Sequence, residues 1–142
     1  MIDSWQAYFR QGLSLVAEEN YAEAVTALSQ ALVEAPDEEV AQCYATRGYA
    51  YLCQNDFDRA VEDCRLAVQH DPNDAEAYAW RGSAFAGKRQ WREALQDYVQ
   101  AIHLDPEKHS EYEAVLLAHV DDAIEDYTRS IQAGKADLQA IT

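Results

Sequence analysis

Two stretches of this chain, YATRGYAYL from Tyr44 and YAWRGSAFA from Tyr78, carry nearly the same nine letters 34 residues apart. The residues after each copy repeat as well: FDRAVEDCRLAVQHDP from Phe57 and WREALQDYVQAIHLDP from Trp91 stand at the same offset. A unit of this size, repeated in register, is one supersecondary element that buries its apolar face against copies of itself. The register extends further. Tyr8, Tyr44, Tyr78 and Tyr112 are spaced 36, 34 and 34 residues apart, and Gly12, Gly48 and Gly82 follow the first three by four. Large aromatics come next (Tyr21, Phe57, Trp91), then Ala24, Ala60 and Ala94, then Ala31, Ala67 and Ala101, and each unit closes on Pro36, Pro72 or Pro106. The two extra residues of the first spacing fall in PDEEVA, between units, where an insertion costs little.

Each unit reads as two helices. In the second, Tyr44, Gly48, Tyr51 and Leu52 share one helical face. QND breaks the pattern, with Asp56 as N-cap, and Phe57, Ala60, Val61, Cys64 and Val68 form a second stripe. The residue before proline is pushed out of the helical region, so HDP ends it. Glycine inside a helix costs up to about 1 kcal/mol relative to alanine. Gly48 and Gly82 therefore imply close approach of a partner helix, with Ala60, Ala67, Ala94 and Ala101 as the small residues that permit it.

The pattern of Tyr, Gly, aromatic, Ala, Ala and Pro over residues 5–106 resembles the tetratricopeptide repeat family. The resemblance implies an all-α, right-handed superhelix of antiparallel helix pairs within one domain over 1–142. The units are 5–40, 41–74 and 75–108, with a degenerate fourth unit and cap over 109–142. It also implies a concave groove lined mainly by the first helix of each unit, and work in holding peptides or other proteins. Carried onto this sequence, the groove comprises Gln6, Phe9, Arg10, Leu13, Gln42, Ala45, Thr46, Tyr49, Cys53, Glu76, Ala79, Trp80 and Ser83. Members that grip a partner's C-terminal carboxylate place Lys, Asn and Arg where this chain has Phe9, Leu13, Thr46, Glu76 and Trp80. The clamp is absent. What remains is an apolar, aromatic peptide groove of Phe9, Arg10, Leu13, Thr46, Tyr49, Trp80 and Ser83, whose aromatic rings offer large rigid contact area. Those rings either hold an apolar side chain of a partner or pack against the protein's own tail or a neighbouring chain.

One contact is specified by co-occurrence. Arg47 has Asp63 sixteen residues on, and Arg81 has Asp97, while the first unit has Gln11 and Ala27 at both places. Ion pairs Arg47–Asp63 and Arg81–Asp97 between the two helices of their units are expected.

The fourth unit departs. Leu116 stands where glycine is expected, and VDDAIEDYTRSIQ mimics FDRAVEDCRLAVQ, yet five residues are missing near the turn. Between 109 and 132 there is no Gly, Pro or Asn, and apolar residues keep a three-and-four rhythm. One long helix over roughly 107–132, about 40 Å at 1.5 Å per residue, is favoured over a cramped hairpin turning near His119–Asp122. A fused helix leaves the stripe Val120, Ala123, Ile124, Tyr127 and Ile131 without an internal partner, which points to a homodimer by symmetric pairing or helix exchange. Gly134 then ends the helix, and Leu138 and Ile141 dock as a cap.

Composition excludes several functions. The net charge of −15 is concentrated at the two ends, −7 over residues 1–40 and −5 over 109–142, and such a field repels polyanions, so nucleic acid is not expected as a partner. Three cysteines, Cys43, Cys53 and Cys64, suggest no disulfide framework, and Cys64 occupies a core position. No signal peptide or membrane span is seen, so a cytoplasmic protein is expected. His70, His103, His109 and His119 have no metal-ligand spacing, and the first two fall at helix C-termini, where partial positive charge is favoured. GKRQWR at 87–92 is the one basic cluster and reads as an exposed turn in which only Trp91 is buried. With no phosphate-binding loop and no nucleophile beside a base, no catalytic residue, cofactor or metal is expected.

Overall fold

The computed structural model describes residues 3–141, with side chains described as far as Lys135. Three helix pairs follow the repeat: α1 (Ser4–Ala17) with α2 (Tyr21–Glu34), α3 (Val40–Cys53) with α4 (Phe57–His70), and α5 (Ala75–Gly87) with α6 (Trp91–Leu104). Local chemistry sets their limits. Asp3 and Gln6 form a capping box at the start of α1. The Asp56 carboxylate accepts the Arg59 N–H, and that of Asp74 accepts the Ala77 N–H. Within each pair the turn closes in the same way, with Glu19, Asn55 and Arg89 at φ of 63°, 60° and 59°. The following amide donates five residues back: Asn20 to Leu15, Asp56 to Tyr51, Gln90 to Phe85. These are Schellman closures made without glycine.

Small residues let the helices of a pair approach. Ala24, Ala31, Ala60, Ala67, Ala94 and Ala101 are all buried, as are Leu28, Cys64 and Tyr98, the residues that follow the first alanine of each unit by four. A Cβ on Gly48 would stand 2.8 Å from the Cys64 Sγ and 3.2 Å from the Asp63 Cβ, which is the close approach its place in the helix implied. The ion pairs are present. The Arg47 Nε and Nη2 donate to Asp63 at 2.7 and 2.8 Å, and those of Arg81 donate to Asp97 at 2.9 and 2.7 Å. Both are bidentate, and both carboxylates are buried. The remaining Arg47 nitrogen donates to Ser29 of α2, so this pair also ties unit two to unit one. In the first unit, a shallow depression of about 250 Å³ lined by Gln11, Leu15, Glu23, Thr26, Ala27 and Gln30 lies where the pair would sit.

Units stack through the second helix of one against the first helix of the next, α2 on α3 and α4 on α5. On the other side, α1 meets α3 and α3 meets α5, while α2, α4 and α6 are splayed apart. The stack therefore curves with α1, α3 and α5 inside. The aromatic that opens each second helix seats on the end of the next first helix. Tyr21 lies against Cys53, and Phe57 occupies the space a Cβ on Gly87 would need.

The fourth unit corrects two sequence expectations. A 3-10 turn, Pro106–Lys108, leads into α7 (His109–Leu117), and α8 (Val120–Ile141) starts after a two-residue turn at Ala118–His119. The helix is not continuous over 107–132. The His119 N–H bonds three residues back, to Leu116, and the α-helical ladder restarts from the His119 carbonyl. Nor do the helices form a close hairpin, since among the described residues α8 does not pack along α7. The break coincides with tertiary contacts: His119 lies against Trp91, ring centroids 6.0 Å apart, and Asp126 meets Arg89 and Trp91. Gly134 does not end the helix, which runs on to Ile141. The expected docking of Leu138 and Ile141 falls on side chains outside the described residues.

Candidate protein-interaction surface

The inner surface is built by α1, α3 and α5, whose spacing follows from the alanines beneath them. Its centre is an aromatic pair: the rings of Tyr49 on α3 and Trp80 on α5 lie 4.9 Å apart, their planes inclined by 41°. Trp80 rests on the cluster Ala45, Ala67 and Ala77, which leaves part of the indole uncovered. Edge-inclined aromatic pairs at this distance are held by more than area burial, about 0.5–1.5 kcal/mol. A pairing with the Cys53 thiol, with burial second, pushes the Tyr49 phenol up.

Around this pair the expected groove residues divide. Leu13 and Arg10 are exposed on α1. Phe9 is half-buried, packed beside Trp5 and against the clusters of Ala31 with Cys43 and of Leu28 with Ala50. Part of its ring therefore belongs to the core. The Thr46 hydroxyl is used within α3, donating to the Gln42 carbonyl at 2.8 Å. Ser83 is turned to the Tyr98 hydroxyl, 2.5 Å away. Glu76 receives Lys108 at 2.9 Å, which ties α5 to the 3-10 turn before α7.

Of the self-association residues, Ile124, Tyr127 and Ile131 are 57%, 56% and 59% exposed and Val120 is 37%. Ala123 is half-buried, at the margin of that stripe. Sequence reasoning missed what holds α8. Arg89 donates from Nε and Nη2 to the two Asp126 oxygens at 2.7 Å each, the Trp91 indole N–H donates to Asp126 at 2.8 Å, and the guanidinium lies 5.5 Å from the Trp91 ring. These contacts hold the Asp126 carboxyl below the usual aspartate value, Arg89 first and Trp91 second. The signal lies in GKRQWR, which the sequence presents as a bare turn. Its Arg89 pairs with Asp126 and its Lys88 with Asp58. Among the described residues no group of three or more His, Cys, Asp or Glu is arranged to hold a metal, and no helix is long and apolar enough to cross a membrane.

Family models described as tetratricopeptide repeat match residues 6–38 and 41–74. The chain belongs to the tetratricopeptide repeat family. Solved structures carry the same right-handed superhelix of antiparallel helix pairs. The first tetratricopeptide domain of Spaghetti (RPAP3), bound to the HSP90 peptide SRMEEVD, is 24% identical, with a TM-score of 0.76 over 85% of this chain and 95% of that one. The Sgt2 domain from Aspergillus fumigatus is 23% identical, TM-score 0.77, over 90% of this tetratricopeptide chain and 83% of its own. The TPR2B domain of yeast Sti1, in complex with an Hsp70 peptide, is 22% identical, TM-score 0.77, over 84% and 98%. No curated protein matches the chain.

Proposed function

We propose that this tetratricopeptide protein is a non-enzymatic, cofactor-free interaction module that holds an apolar or aromatic segment of a partner protein on its concave face. The observation that carries the reading is the partly uncovered Tyr49–Trp80 pair at the centre of α3 and α5. Leu13, Arg10 and the free part of Phe9 extend the surface along α1. Relatives of this fold bind peptides ending in EEVD, but here the places that would grip a terminal carboxylate hold Phe9, Leu13, Thr46, Glu76 and Trp80. The ligand is therefore an internal or apolar segment, and its affinity comes from filling space beside the rings. The working unit is a single domain with repeats over 5–40, 41–74 and 75–108 and a degenerate fourth over 109–142. Its acidity disfavours nucleic acid, and a cytoplasmic location fits three unpaired thiols.

The test is selection from a displayed peptide library with the full chain, followed by titration against Trp80→Ala. Enriched peptides carrying Phe, Leu or Trp that lose roughly 30-fold in affinity, the effect of removing a hot spot of about 2 kcal/mol, support the reading. No enrichment, or equal affinity for the variant, contradicts it.

A second reading is favoured by the exposed stripe on α8. The chain forms a homodimer through Val120, Ile124, Tyr127 and Ile131, with Ala123 at its margin. Light scattering over a concentration series tests it, and a monomer throughout would exclude it.

A further inference from the structure

The exposed residues of α8 are more than a generic apolar face. Val120, Ile124, Tyr127, Ile131 and Gly134 are spaced four, three, four and three. That alternation is the seam of a left-handed coiled coil, where residues of one helix insert between those of another. A helix packing on a globular body would instead widen its apolar face. The body takes hold of α8 elsewhere. Asp122, through its carbonyl, and Asp126, through its carboxylate, receive Arg89, and both sit well over 90° round the helix from the seam at about 100° per residue. The latch thus grips the polar back of α8 and turns the seam to solvent.

We infer that the seam takes a second copy of the same helix, antiparallel, in one register; this rests on the self-association reading above. Charge selects the direction. The first half of α8 carries Asp121, Asp122, Glu125 and Asp126 against Arg129 alone, while the second half carries Lys135 and Asp137, which balance. Parallel pairing would set the acidic halves side by side, with Lys135 about 21 Å along the axis from Asp121. Antiparallel pairing instead sets each acidic half against the neutral half that carries Lys135. When Tyr127 lies against Ile131 of the second copy, Ile124 lies over its Gly134, where the missing side chain admits the larger one. Asp121 then flanks Lys135 of the second copy, and symmetry makes this contact twice. Neither residue is engaged in a side-chain bond within the chain among the described residues.

The experiment is light scattering on the full chain over a concentration series, for wild type, Lys135→Glu, Asp121→Lys, the double variant and Ile124→Asp, with circular dichroism as a check on folding. All the altered side chains are exposed or flank the seam, so the repeat core is untouched. Expected is a dimer that Ile124→Asp dissociates. Either single charge variant weakens it about tenfold, from two attractions turned to repulsions of several tenths of a kcal/mol each. The double variant, with the charges exchanged, recovers wild-type affinity. A dimer that Ile124→Asp abolishes but the charge variants leave unchanged overturns the antiparallel register while the self-association reading stands. A wild-type monomer at every concentration overturns both.

Discussion

At the scale of single residues, the repeated Arg–Asp pair shows how much can be learned from absence. Gln11 and Ala27 vary together against Arg47–Asp63 and Arg81–Asp97, and the structure closes both pairs with two short hydrogen bonds each. Burial pushes the Asp63 and Asp97 carboxyls up, and the guanidiniums oppose that shift without cancelling it. A buried charge without its partner is the costly state, about 3–5 kcal/mol, while loss of both charges is often close to neutral. Asp63→Ala is therefore expected to lower stability by about 3 kcal/mol in urea unfolding, and Arg47→Gln with Asp63→Ala, the residues of unit one, to recover most of it. Equal losses from the single and double variants would contradict this. Tyr112 is a second case. Its ring is buried against the α5–α6 cluster, but among the described residues its hydroxyl has no hydrogen-bond partner. A buried donor left unpaired costs about 1–3 kcal/mol, so Tyr112→Phe should raise the melting temperature; a clear decrease would mean the hydroxyl is satisfied.

At the scale of elements, the legible and illegible parts of the chain separate by the range of the forces that set them. The six helices of α1–α6 were readable because local signals agree: aspartate caps, prolines after the ends, and small residues at fixed places. Register within the unit also puts Tyr49 and Trp80 on one face, and their rings meet there. Ser83 and Thr46 were harder to place in use, because hydroxyls find the nearest acceptor, Tyr98 for one and a backbone carbonyl for the other. The turn at Ala118–His119 was not readable. Local sequence favours unbroken helix there, while the residues at and after the break meet Trp91 and Arg89, distant along the chain. That latch should be sensitive to acid. The folded-state value of Asp126 is depressed, so its contribution is complete above the ordinary aspartate value and is lost as pH falls through the lower, folded one. Protection of the α8 amides, relative to their intrinsic exchange rate, is expected to fall at strongly acidic pH, and Asp126→Asn should show the low protection already at neutral pH. Slow exchange in the variant at neutral pH would show that α8 is held by something else.

At the scale of the whole molecule, repetition explains both the fold and its use. No single helix pair can bury its faces alone, so stacking is obligatory. Closer contact among α1, α3 and α5 than among α2, α4 and α6 curves the stack around an inner surface. That surface presents aromatic rings, with hydroxyls largely satisfied within the protein. On the proposed reading, Phe9, Leu13, Thr46, Glu76 and Trp80 stand where carboxylate-gripping members carry Lys, Asn and Arg, which changes what a ligand must bring. The decisive measurement is calorimetric titration of the full chain with two peptides: SRMEEVD with a free C-terminus, and an amidated peptide rich in Phe and Leu. Binding of the amidated peptide, weakened by Trp80→Ala, with no heat from SRMEEVD, is the expected result. Tight binding of SRMEEVD that depends on its free carboxylate, and none of the amidated peptide, would contradict the aromatic groove.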